Sequence, residues 1–157
     1  MTEAKIEAAL AAKIEAAFAS ANVTGVKVFR TFMEAAPNDA AVMEMPDDVA
    51  FVDLVPENRS QETWEIPQYD FPVNVRLRSR IECDPTGAAH FARVDVLAGL
   101  LAGYCGRNGA ANARADFAIS NEFNPLLVSL GGGENEVDRD EGFRSWSQSI
   151  TIRGYLS

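Results

Sequence analysis

Gly131-Gly-Gly-Glu-Asn-Glu-Val-Asp-Arg-Asp-Glu-Gly-Phe-Arg-Ser-Trp146-Ser-Gln-Ser-Ile-Thr-Ile-Arg-Gly-Tyr-Leu-Ser157 ends the sequence, and its reading decides the fold. Three glycines lead into an acidic tract, residues 134–141, and a strand follows over 146–156. Residues 126–130, just before the glycines, read as a second strand. The two should pair as a long antiparallel hairpin around a flexible, charged loop. A loop of that kind displays a contact surface; active sites are seldom built that way.

Outward from the hairpin, the clearest strand covers 72–83. Val73, Val75, Leu77, Ser79 and Ile81 fall on one face, and Asn74, Arg76, Arg78, Arg80 and Glu82 on the other. Asp84 then serves as a helix N-cap with Pro85 at the first helical position. That helix runs to about residue 104 with Phe91, Val94, Ala98 and Leu101 toward the core; 106–112 ends it, and 113–124 fits no single element. At the other end, Thr2 caps a helix reaching about residue 21, where Ile6, Leu10, Ile14 and Phe18 make one apolar stripe. Its charges, Glu3, Lys5, Glu7, Lys13 and Glu15, read as a solvated face. Strands are expected over 26–32 and 50–55, with a connection over 33–49 and a long loop over 56–70 that has room for a short strand around Trp64. Helices and strands are segregated rather than alternating. The expected fold is α+β: a mixed, mostly antiparallel sheet packed by two main helices, with long loops and a C-terminal hairpin, in one domain over 1–157.

Composition narrows the chemistry. The 157 residues carry a net charge of −9, so most of the surface repels phosphate and a direct grip on nucleic acid is not expected. No apolar run approaches the ~18 residues of a membrane span, and no membrane partner is expected. The opening residues carry no secretory signal pattern, and Cys83 and Cys105 read as reduced, buried thiols of a protein made in the cytoplasm. His90 is the only histidine, so every Ser-His-Asp or Cys-His arrangement would need it; it reads as a solvated or hydrogen-bonded helix residue. The glycine triplet precedes acids where a phosphate cradle needs Lys-Ser/Thr and a helix. Counted as a calcium loop from Glu136, the chain has Glu141 where glycine is required and Ser147 where a bidentate glutamate is required. Neither a cofactor nor a metal is expected, and no catalytic residue is assigned. Paired carboxylates (Asp138 with Asp140, or Glu62 with Glu65) would permit a small carboxylate-dependent hydrolase only if one acid were held in a dry setting.

Two charge sets remain. Arg76, Arg78 and Arg80 form a basic row, read either as a contact for an acidic surface or as cross-strand pairs within the sheet. Glu134, Glu136, Asp138, Arg139 and Asp140 lie in the acidic tract. Trp64, Tyr69 and Trp146 are candidate interface anchors or ordinary core residues.

The opening helix with Ile6, Leu10, Ile14 and Phe18, and the closing segment from Asp138 through Trp146-Ser to Tyr155, resemble the tail-terminator proteins of long-tailed bacteriophages, the lambda-like type in particular. The order of elements agrees over most of the chain. The resemblance implies a structural protein of the virion tail or neck, assembled in the host cytoplasm and without enzymatic activity. It implies a homo-oligomer, a hexameric ring that caps the tail tube and ends its polymerisation. Its partners would be the tail tube protein and the head-completion protein of the neck, with DNA passing through the lumen without specific binding. The alternatives are another neck or tail-completion protein and, outside that class, a monomeric host-directed binding module acting through the loop at 56–70.

Overall fold

The computed structural model describes residues 2–30, 50–56, 61–63 and 67–156. The elements run α1 (Thr2–Ser20), β1 (Val26–Arg30), β2 (Ala50–Pro56), β3 (Gln61–Thr63), β4 (Pro67–Arg80), α2 (Ala88–Ala102), α3 (Gly109–Phe117), β5 (Phe123–Leu130), β6 (Glu134–Asp138) and β7 (Phe143–Leu156). One sheet holds all of the described strands in the order β1-β2-β4-β7-β5, with β3 beside β4 and β6 beside β7. β1 and β2 are parallel, and every other pairing is antiparallel. The fold is α+β, as the segregated pattern implied.

The sheet hangs on β4 and β7, each 14 residues long. They pair continuously from Gln68 with Tyr155 to Arg80 with Phe143. Alternation explains why. Phe71, Val73, Val75 and Leu77 of β4, and Ile152, Ile150 and Trp146 of β7, are all buried on one face. Against that face lies the apolar stripe of α1, where Ile6, Leu10 and Ile14 are fully buried and Phe18 nearly so. Leu97 and Leu101 of α2 and Ala113 and Phe117 of α3 complete the core. The opposite face carries Asn74 and the arginines of β4, and Ser145, Ser147, Ser149 and Thr151 of β7. No described helix packs on it.

Several sequence expectations need correction. The strand expected over 72–83 begins at Pro67 and stops at Arg80, so part of the expected loop at 56–70 is strand, and Ile81 has left the sheet. Asp84 and Pro85 lie in a turn before α2, whose N-cap is Gly87 at φ 79°. Phe91 is 53% exposed, because the buried line of α2 runs through His90, Leu97 and Leu101, and a residue one position after His90 lies about 100° around the helix from that line. Residues 109–117 form a third helix rather than the end of the second. Glu7 is fully buried although it was grouped with the solvated charges, since Leu10, Ala11 and Ile14 share its side of α1. Cys83 and Cys105 are exposed, both lying in turns after their elements end. The acidic tract is not a flexible loop: residues 134–138 form strand β6.

Candidate assembly surface

β5 and β6 occupy the same side of β7 in succession. β5 covers 150–156 and β6 covers 143–147, so the two are one long edge column interrupted by the glycine triplet. Three residues, 131–133, span the two opposite positions 148 and 149, which makes the triplet a bulge. The Gly131 N–H donates to the Ser149 carbonyl at 2.8 Å, and the Gln148 side-chain amide donates to the Gly131 carbonyl at 2.8 Å. Gly133 crosses the indole of Trp146 so closely that a Cβ would stand 2.9 Å from Nε1. The glycines therefore carry an edge strand over a buried tryptophan; they do not loosen a loop. The β6–β7 turn is closed by Asp138, whose carboxylate accepts from the Glu141 N–H at 3.1 Å and whose carbonyl accepts from Gly142, itself at φ 78°.

This register brings the two charge sets onto one face of one sheet. Arg76, Ser147 and Glu134 lie side by side across β4, β7 and β6; so do Arg78, Ser145 and Glu136, and Arg80, Phe143 and Asp138. Adjacent strands are ~4.8 Å apart, so guanidinium-bearing and carboxylate-bearing backbones stand roughly 10 Å apart with small serines between them. A groove of about 400 Å³ results, lined among others by Arg76, Arg78, Glu134, Glu136 and Asp138. Arg78 and Arg80 are each only 9% exposed, and the Arg78 guanidinium lies 5.8 Å from the Phe143 ring centroid. On β2, Asp53 is the register neighbour of Arg76. The acids at 134 and 136 are exposed, and Asp138 is half-buried. Arg139, Asp140 and Glu141 are exposed at the turn.

The remaining candidates separate. Tyr69 is 5% exposed with its ring set edge-on to Phe123 at 6.1 Å, so it belongs to the core and has little surface to offer a partner. The reason is the earlier start of β4, which carries residue 69 into the alternating apolar face. Trp146 is core because it stands opposite Leu77 on the same apolar face, and Trp64 lies outside the described residues.

A second polar cluster, not anticipated from the sequence, fixes the start of α2. The Asp84 carboxylate accepts from the His90 N–H at 2.8 Å and the Ala89 N–H at 3.3 Å, capping the helix from outside it. Arg144 of β7 donates to the carbonyls of Asp84 and Pro85, and His90 Nδ1 and the Ser79 hydroxyl are 2.9 Å apart. Arg93 also donates to the Ser79 oxygen at 3.3 Å. The Asp84 pKa falls below its ordinary value: partial burial raises it, but the two N–H donors and the charges of Arg144 and Arg93 outweigh that. That of His90 is lowered, by burial first and then by Arg144 and Arg93, with Asp84 opposing. Ser79 and His90 are both 2% exposed, and Asp84 holds the histidine's backbone rather than its ring, so the pair cannot meet a substrate as nucleophile and base. On the far side, the Tyr104 hydroxyl donates to Asp116 at 2.8 Å; burial, this bond and the Asp116 charge all raise its pKa. Lys13 pairs with Asp116 at 3.0 Å and Lys5 with Glu122, tying α1 to the segment around α3.

What the exposed groups offer is a polar, charge-patterned sheet face ending in an acidic strand. Among the described residues no group of three or more His, Cys, Asp or Glu is placed to hold a metal ion, and no helix is long and apolar enough to cross a membrane. No protein-family model matches the sequence, and no curated protein does. The architecture, however, is one already seen in a solved structure. A chain from the virion of a native gene transfer agent particle has the same fold, with a TM-score of 0.59 over 96% of this chain and 97% of that one, at 13% sequence identity.

Proposed function

We propose that this chain is a structural protein of a phage-like virion, that it works as a tail terminator, and that it does so as a ring of identical subunits. The ring caps the tail tube, halts its polymerisation and presents its other side to the head-completion protein of the neck. The observation that carries the reading is the end-to-end fold likeness to a chain of a virion particle, nearly complete in both chains. It agrees with the resemblance of the opening helix and closing strand to tail terminators. Charge patterning supports assembly rather than catalysis: the acids at 134, 136 and 138 line a surface groove instead of a closed, dry cavity.

The contact residues of this reading are Arg76, Glu134, Glu136, Asp138, Arg139 and Asp140, with Arg78 and Arg80, each 9% exposed, lying beneath that surface and acting on it through their charge. A ring of heterologous contacts needs two unlike, complementary patches on each subunit. The acidic strand supplies one of them, at the rim of the sheet. A chain with a net charge of −9 also suits a lumen through which DNA slides without tight phosphate contacts.

Electron microscopy of the purified protein, alone and mixed with tail tubes, tests the proposal. Rings, and tubes bearing a ring at one end, are expected. A protein that stays monomeric at high concentration, with tube protein and divalent cation present, and never decorates a tube end would refute it.

A further inference from the structure

The two rims of the sheet are unlike, and their difference specifies how copies join. One rim is β1, the other is the β5–β6 column. Among the described residues no strand pairs with the outer side of β1 or of β6. β6 carries three carboxylates in five residues; β1, also five residues long, carries Lys27 and Arg30 and no acid. Val137, in the middle of β6, is 52% exposed, an apolar side chain left on an open strand.

We infer that β6 of one subunit adds to β1 of the next, so that the sheet runs unbroken from copy to copy; this rests on the ring of identical subunits proposed above. Three features of the fold favour it over other pairings. The first is direction. β6 runs with β4, because both are antiparallel to β7, whereas β1 runs with β2 and against β4. Repeating the subunit without turning it over therefore sets β1 antiparallel to β6, the more stable geometry.

The second is the side-chain pattern. Lys27 shares a face with Arg78 through β2, and Glu136 shares that face through β7. With Lys27 opposite Glu136, Val26 falls opposite Val137 on the other face. The exposed cation meets an acid, and the exposed valine is covered.

The third is what the acids forbid. Two β6 strands pairing with each other would stack carboxylates against carboxylates, so a symmetric dimer through this edge is disfavoured and the head-to-tail junction is selected. Strand addition of this kind takes its affinity from main-chain hydrogen bonds and its specificity from alternate side chains.

Cross-linking reads the register directly. In a background with Cys83→Ser and Cys105→Ser, a Val26→Cys, Val137→Cys chain keeps all the edge charges. Cα atoms opposed across antiparallel strands are ~4.5–5.5 Å apart, within disulfide reach. Mild oxidation is expected to give a ladder of covalent oligomers, and peptide mapping should join residue 26 to residue 137. Each single-cysteine chain should stay uncoupled. Separately, Glu136→Lys should raise the concentration for half-assembly about tenfold, and adding Lys27→Glu to it should recover most of that loss. Circular dichroism checks that each variant folds.

Oligomers that form in full without a 26–137 link, and whose assembly ignores both charge reversals, overturn this junction while leaving the ring intact. A 137–137 link from the Val137→Cys chain alone overturns it in favour of a symmetric edge. Glu136→Lys rings of normal mass that no longer cap tubes would reassign β6 to the tube protein. A chain that never oligomerises removes both the junction and the ring.

Discussion

Gly154→Ala is the substitution that most sharply tests the sheet on which the assembly surface is built. Gly154 is buried in β7, between Tyr69 on β4 and Pro125 on β5, beside the register shift at 125–127. A Cβ there would stand 2.4 Å from the Asn124 carbonyl oxygen and 2.7 Å from Phe123 Cζ. The first obstacle is main chain and has no rotamer to change. The second is a ring 1% exposed and held edge-on by Tyr69, so it has nowhere to swing. Overpacking a core by one carbon costs about 1–3 kcal/mol, and an immovable obstacle puts this site near the top of that range. In a chain of this length about 3 kcal/mol lowers Tm by roughly 6–12 °C. Gly132→Ala is the control, since its Cβ would meet nothing within 4 Å. Urea unfolding of both variants, followed by circular dichroism, supplies the comparison. If Gly154→Ala and Gly132→Ala unfold within about 0.5 kcal/mol of each other, the β5–β7 register is wrong.

Two further outcomes follow from the cluster at the start of α2. His90 has a lowered folded-state pKa, so the unfolded chain takes up the proton first as pH falls. Its contribution is therefore whole above the ordinary value of 6.5 and drains through the window below it, at no more than about 1.4 kcal/mol per pH unit. Urea midpoints at about pH 7.5 and about pH 5.5 should differ less in His90→Gln than in the wild type, and an equal difference would remove His90 as the source. Asp84→Ala strips the cap from the Ala89 and His90 N–H groups and should cost about 1 kcal/mol. Amide exchange should quicken at the first turn of α2 and not in α1; uniform quickening would mean the cap is not local.

Periodicity made the architecture readable where one face of an element is buried and the other is not. The α1 stripe and the alternation of Val73, Val75 and Leu77 were plain for that reason. Boundaries failed where the deciding force is long-range. Tyr69 and Phe71 join β4 only because β7 is long enough to pair with them. α3 has a weakly apolar sequence, Gly-Ala-Ala-Asn-Ala-Arg-Ala-Asp-Phe, and owes its place to Ala113 and Phe117 filling the core beside β5. The acidic tract looked like a loop because Glu, Asn and Asp are poor strand formers; backbone pairing to β7 overrides that preference. Both charge sets were visible in the chain, but their shared face was not, since it depends on a register across three strands. Asp84 was legible as a capping residue, although it caps from outside the helix.

Self-association carries the whole account, and the oligomeric mass of the unmodified protein across a wide concentration range measures it most directly. Light scattering should show one closed species of fixed subunit number, giving way on dilution to single chains with few intermediates. A single chain at every concentration, or a mass that climbs without limit, would contradict a closed ring.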